Sequence, residues 1–335
     1  MFVRISGTFL CLISGACFGA MGIFGKLAYG EGVTLGTLLS ARFVLAAAMF
    51  WALVLATRSG RGDLRALSRH DVRVGLVLGA CGYAAQAGLY FAALQRIHVS
   101  LLSLLLYTFP AIVAVAAVAL GRERVDRRRV MALALSFGGL VLVMAGAGAG
   151  TLDPLGAALG LGAAFVYAAY ILVSDGVVTR LRPQVLSALV CSGAAVTLTS
   201  GAALLGQLRP GQVTLAGWGW LACIAVVSTV AAVSLFFAGL RQVGPTTASI
   251  LATVEPLVTV TLAFLVFGEV LGLLQVLGGA MVLAAVIAIN ARRRGGPAAR
   301  LRATPATAGQ ALVPATAHAR AVSSNGSSLT PSRRR

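Results

Sequence analysis

SILATVEPLVTVTLAFLVFGE, residues 249–269, is apolar over about twenty positions, enough to cross a bilayer as a helix. Glu255 and Pro256 sit near its middle. A carboxylate at that depth is costly, and a proline leaves the backbone carbonyl one turn earlier without its donor. Both are tolerated where they face a cavity or a bundle interior rather than lipid. The stretch reads as a membrane helix with a functional centre, and the rest of the chain tests that reading.

The 335 residues are 59% hydrophobic and 11% charged, with a mean hydropathy of +0.92. Soluble domains carry about a quarter charged residues. A chain this apolar reads as an all-α polytopic membrane protein with the lipid bilayer as its solvent. The net charge of +18 would raise nucleic acid as a partner, but the arginines fall between apolar runs and in the tail. The positive-inside rule accounts for them, so no nucleic acid is expected. Cys11, Cys17, Cys81, Cys191 and Cys223 lie inside apolar runs without metal-ligand spacing and read as small buried side chains. No nucleophile elbow, phosphate-binding glycine loop or metal cluster occurs, so neither an enzyme nor a cofactor is expected.

Apolar runs predict ten helices, near 5–27, 35–57, 72–94, 100–120, 130–149, 155–174, 185–206, 214–237, 246–267 and 272–290. The first is too long for a signal peptide's apolar region and reads as an uncleaved helix. With both termini cytoplasmic, the inner connections hold Arg58, Arg61, Arg65, Arg69, Arg73, Arg122, Arg124, Arg127, Arg128, Arg129, Arg180, Arg182 and Arg241. The outer ones keep only Arg96 and Arg209. Residues 291–335 turn to Ala, Pro, Ser, Thr, Gly and Arg, the composition of a disordered basic tail drawn to anionic lipid.

A shift of 146 residues lays Gly82–Glu123 over Ser228–Glu269 without a gap. Leu89-Tyr90-Phe91-Ala92 meets Leu235-Phe236-Phe237-Ala238, Ser103 meets Ser249, Pro110 meets Pro256 and Glu123 meets Glu269. The scarce proline and glutamate at one offset make a repeat, residues 5–150 and 151–290. Five helices per half is an odd number, so the halves enter the membrane in opposite senses. That is the inverted-repeat plan of secondary transporters, with substrate bound between halves. Pro110 and Pro256 become matched helix kinks.

The chain also resembles the EamA-type family of the drug/metabolite transporter superfamily. The resemblance covers residues 5–290 and rests on Gly25-Lys26-Leu27-Ala28, Ala41-Arg42-Phe43, Pro110 with Gly121-Arg122-Glu123, and Glu255-Pro256 with Gly268-Glu269 and Gly278-Gly279. It implies ten helices with both ends cytoplasmic, multi-pass in a bacterial inner membrane, and export of amino acids and other small metabolites. Family members often carry a tryptophan in the first helix of each half, where this chain has Phe18 and Tyr167.

Of the acids, only Glu255 lies deep in a run. It reads either as the proton- or substrate-binding carboxyl or as a structural carboxyl beside the kink. Lys26 and Arg42 stand towards the outer ends of their helices. Lys26 either snorkels or binds, and Arg42 can face a carboxylate from substrate or from Glu255. Tyr83, Gln86 and Tyr90 share a helix face and could wall a transport path or bond between helices; Tyr107 beside Pro110 is a further candidate. Trp218 and Trp220 read as interfacial anchors, and His98 as a loop residue. Gly15, Gly19, Gly22 and Gly25 set small-residue spacing for close helix contact. The expectation is a proton-coupled exporter of small molecules, with a homodimer compatible with the fold. A lipid or lipid-linked sugar translocator and a membrane sensor or scaffold are the alternatives.

Overall fold

The computed structural model of the protein describes residues 6–120, 127–146, 153–174, 181–243, 248 and 251–290, and every regular element among them is helical. In chain order these are α1 (Gly7–Gly30), α2 (Leu35–Ala56), α3 (Arg69–Leu94), α4 (Val99–Ala119) and α5 (Arg127–Gly146). There follow α6 (Pro154–Ser174), α7 (Pro183–Leu204), α8 (Leu215–Val243), α9 (Val254–Phe267) and α10 (Leu273–Asn290). The expected basic tail, the Gly121-Arg122-Glu123 motif and the first residues of the opening stretch lie outside the described residues.

Local chemistry sets the helix ends. The hydroxyls of Thr34, Ser68 and Thr214 accept the amides of Thr37, Asp71 and Gly217, capping α2, α3 and α8. Asp153 does the same for α6, accepting the amides of Leu155 and Gly156 at 2.8 and 3.1 Å.

Seven helices have the length and hydropathy to cross a membrane, α1–α4 and α6–α8. The runs expected near 130–149, 246–267 and 272–290 hold shorter apolar helices, Val130–Gly146, Val254–Phe267 and Leu273–Ala288. Residues adjoining these helices lie outside the described ones, and Pro256 falls in the first turn of α9, where its missing N–H goes unused. Residues 58–65, expected as a loop, form a short polar helix.

Among the described residues α1 packs on α8 and α9, α2 on α7 and α8, α3 on α6 and α7, α4 on α6 and α9, and α5 on α10. Between them Phe43, Phe50, Phe91, Leu102, Leu105, Leu186, Leu221 and Ile224 are fully buried. Large apolar side chains also face outwards, among them Phe9, Val44, Leu53, Val141, Phe165 and Leu265. So much exposed apolar surface on a packed bundle suits lipid rather than water. The molecule is a multi-pass membrane protein.

Among the described residues a turn at Ala20 interrupts α1, and four further irregularities follow. Six-residue π-helical segments, Leu78–Tyr83 in α3 and Val226–Ala231 in α8, widen the backbone, a feature that recurs at functional positions. Turns at Tyr107–Thr108 in α4 and at Thr253 before α9 restart the helix just ahead of Pro110 and Pro256. Each expected proline kink is thus a break, with the proline in the first turn of the new segment.

Candidate functional site

The break before α9 leaves Ala252 O without the amide that Pro256 cannot supply. Tyr107, at the matching break in α4, fills that gap: its Oη lies 2.9 Å from Ala252 O and 2.9 Å from Glu255 Oε2. Glu255 is buried, and the close passage of α1 seals it on one side. A Cβ at Gly19 would come within 2.7 Å of Glu255 O, so α1 and α9 touch there because position 19 has no side chain. Thr259 Oγ1 ties the same turn together, 2.9 Å from Gly19 O and 3.1 Å from Glu255 O.

A tyrosine-rich wall surrounds the carboxyl. Tyr83, Tyr90, Tyr107 and Tyr167 are all buried and within electrostatic reach of Glu255. Tyr167 packs on Phe109 at 4.6 Å between ring centroids, and Tyr170 stacks on Tyr83 at 6.1 Å. Tyr83, Gln86 and Tyr90 do share the inner face of α3, and Gln86 is buried with them. Gly22 admits Tyr90: a Cβ there would lie 2.9 Å from the Tyr90 hydroxyl.

Arg42 has Tyr83 and Tyr90 within electrostatic reach, as Glu255 does. It is 3% exposed. Its Nε donates to Thr229 Oγ1 and its Nη2 to Tyr83 Oη, each at 3.2 Å. Its Cζ lies 4.9, 5.4 and 5.9 Å from the rings of Phe43, Phe91 and Tyr83, which offset part of its desolvation. Among the described residues no carboxylate lies within 4.0 Å of it. Arg42 and Glu255 therefore form two separate poles rather than an ion pair, with Tyr83 and Tyr90 in reach of both.

Lys26 lies elsewhere. Its Nζ donates to Glu269 Oε1 at 2.6 Å and sits 4.7 Å from the Phe267 ring centroid. Glu269 follows Gly268, whose φ of +66° turns the chain back at the end of α9. The carboxylate then caps the start of α4, accepting the Val99 amide at 3.2 Å, the Ser100 amide at 3.0 Å and the Ser100 hydroxyl at 2.9 Å. His98 Nδ1 stands 3.4 Å away. Burial pushes the Glu269 carboxyl up, but the bonds from Lys26 and Ser100 outweigh it and hold it below its ordinary value. Three helix ends, from α1, α4 and α9, are thereby latched together.

From the sequence none of Glu269, His98 and Thr229 stands as a site residue: His98 reads as a loop residue, Glu269 as a repeat and motif position. Glu269 looked like one loop acid among several, although its place opposite Glu123 in the repeat marked it. Thr229 carried a signal too, as the position that the repeat lays over Tyr83.

Comparison with known proteins places the architecture. The model of the EamA-like transporter family matches residues 5–145 and again 154–291. An uncharacterized transporter of Bacillus subtilis, YcbK, is 28% identical over 279 residues, 82% of this chain and 89% of its own. An uncharacterized transporter of Archaeoglobus fulgidus is 33% identical over 198 residues, 59% of this chain and 69% of its own. A solved crystal structure superposes with a TM-score of 0.61 at 17% identity, covering 86% of this chain and 99% of that one, a likeness of fold.

Proposed function

The chain belongs to the EamA-like transporter family, and from that premise we propose that it is a secondary active exporter coupling proton entry to release of a small metabolite. The first substrate class to test is amino acids. The observation that carries the coupling is the Tyr107 hydroxyl between two acceptors. It has one proton and lies 2.9 Å from both Ala252 O and Glu255 Oε2. With Glu255 charged, the hydroxyl serves the carboxylate and the carbonyl at the break loses its donor. With Glu255 protonated, the carboxyl donates to Tyr107 Oη and Tyr107 donates to Ala252 O, so every group is satisfied. Protonation thereby sets the bonding of the break in α9, and the break joins two packed halves.

On this reading the halves are inverted five-helix repeats in a bacterial cytoplasmic membrane, with both ends cytoplasmic. The helix pairing supports it, since it is unchanged when each helix is exchanged for the one five places on. The π segments at Leu78 and Val226 and the breaks before the two prolines support it likewise. Substrate bound from the cytoplasm competes with the proton at Glu255; arrival of a proton from outside expels it, and the protonated carrier returns.

Purified protein in vesicles with an acidic lumen tests the proposal. A panel of labelled amino acids and other small metabolites is offered outside. The wild type should accumulate at least one compound only while the pH gradient lasts. Glu255→Gln should lose that accumulation while keeping exchange of labelled for unlabelled compound. Gradient-driven accumulation by Glu255→Gln at the wild-type level would exclude the coupling role.

A further inference from the structure

We propose that Arg42 anchors an anion subsite that takes the carboxylate of the transported molecule, reached through the crevice between α2, α7 and α8. The proposal deepens the transport reading and rests on it. Arg42 is 3% exposed, yet its partners are all uncharged: Thr229 Oγ1, Tyr83 Oη and the faces of three aromatic rings. A guanidinium offers five N–H donors, and protein atoms engage two of them. The remaining donors keep the fork that grips a carboxylate through paired bonds. Packing alone is a poor reason to keep a buried cation without a counter-charge, whereas an anionic ligand supplies one.

Orphaned polar atoms adjoin the partners of Arg42. Tyr170 Oη, on the ring stacked against Tyr83, has no hydrogen-bond partner, and neither has Ser228 Oγ next to Thr229. Buried polar groups are ordinarily satisfied, so an orphaned hydroxyl on the ring stacked against Tyr83, itself a partner of Arg42, suits a site that a ligand completes.

The approach starts in a cavity whose lining stops short of Arg42 and Thr229. The cavity, of about 70 Å³, lies between Phe50 of α2, Pro183 and Gln184 of α7, and Val233, Phe237 and Arg241 of α8. Phe50 lies two turns along α2 from Arg42, and Val233 one turn along α8 from Thr229. Ser234 Oγ, also in the lining, is unpartnered. Gln184 and Arg241 are exposed, so they mark the mouth. A cation at the mouth and another beyond the depth give the crevice one sign of charge, which draws anions in. Once seated, the carboxylate shares Tyr83 and Tyr90 with Glu255 as electrostatic neighbours. A molecule that also carries an ammonium group would span both poles.

Thermal unfolding of the purified full chain tests this with matched probes. These are L-leucine, L-phenylalanine, 4-methylpentanoate and phenylacetate, each beside its amide, with sodium chloride at equal ionic strength. At least one carboxylate should raise Tm in a concentration-dependent way while its amide and chloride do not. Arg42→Met should weaken the apparent Kd by about 10- to 100-fold, the scale of one charge-assisted bond, without lowering the Tm of the ligand-free protein. Arg42→Lys should recover part of the affinity, since it keeps the charge and loses the fork. Glu255→Gln should still respond to the carboxylate, so failure of the coupling proposal and failure of this one give different patterns. The subsite is overturned if no carboxylate outperforms its amide and chloride, if the shift survives in Arg42→Met, or if Arg42→Met lowers the ligand-free Tm.

Discussion

At Glu255 one hydroxyl decides which hydrogen bonds coexist. Tyr107 reaches both the carboxyl and Ala252 O, so Tyr107→Phe orphans a buried carbonyl and strips the carboxyl of its partner. A loss of about 1–3 kcal/mol is expected, read as a lower Tm, because the carbonyl then bears its full desolvation cost. Transport by Tyr107→Phe should also lose the wild-type pH profile. A fall in Tm with an unchanged profile would make Tyr107 purely structural. Glu255 and Arg42 were legible in the sequence because charge is scarce in apolar runs. Their separation was not: Arg42 was equally open to pairing with Glu255, and in the fold its donors go to Thr229 and Tyr83 instead.

Among the elements, α1 touches the surroundings of both carboxyls, as α4 does through Tyr107 and Ser100. It passes Glu255 at Gly19 and reaches Glu269 through Lys26, about 20 Å further along α9 by helical rise. Gly19→Val would drive a side chain into the Glu255 carbonyl and should force α1 and α9 apart, measurable as lost transport together with a lower Tm. The Glu269 latch has its own pH signature. Its carboxyl is held below the ordinary value of 4.5, so the latch contributes fully above that value and is lost as pH falls through the lower, folded one. Lys26 and His98 are the other ionisable groups that face it. In a His98→Asn background, labelling of Ser103→Cys by an impermeant maleimide should stay low and flat through neutral pH. Glu269→Gln should raise it several-fold by freeing the start of α4. Equal labelling in both would show that the latch does not gate this end. The latch was hidden from the sequence because Lys26 and Glu269 are 243 residues apart, and each alone resembled an interfacial residue. The breaks were half legible: Pro110 and Pro256 marked where, but a proline in a first turn and a proline kinking mid-helix read alike.

For the whole molecule, hydropathy and the family resemblance anticipated an all-helical membrane protein, since exposed apolar side chains on the bundle carry the same message as the apolar runs. Ten helices were expected; among the described residues seven are long enough to cross, and residues adjoining α5 and α9 lie outside the described ones. The central claim is that the folded transporter exchanges a proton at Glu255 and that Tyr107 feels it. Infrared difference spectra of the purified protein across a pH titration observe this directly, through the stretch of a protonated buried carboxyl. The account predicts one such band that titrates in the wild type, is absent in Glu255→Gln and moves in Tyr107→Phe. A wild-type spectrum without a titrating buried carboxyl, or a band that persists in Glu255→Gln, would contradict it.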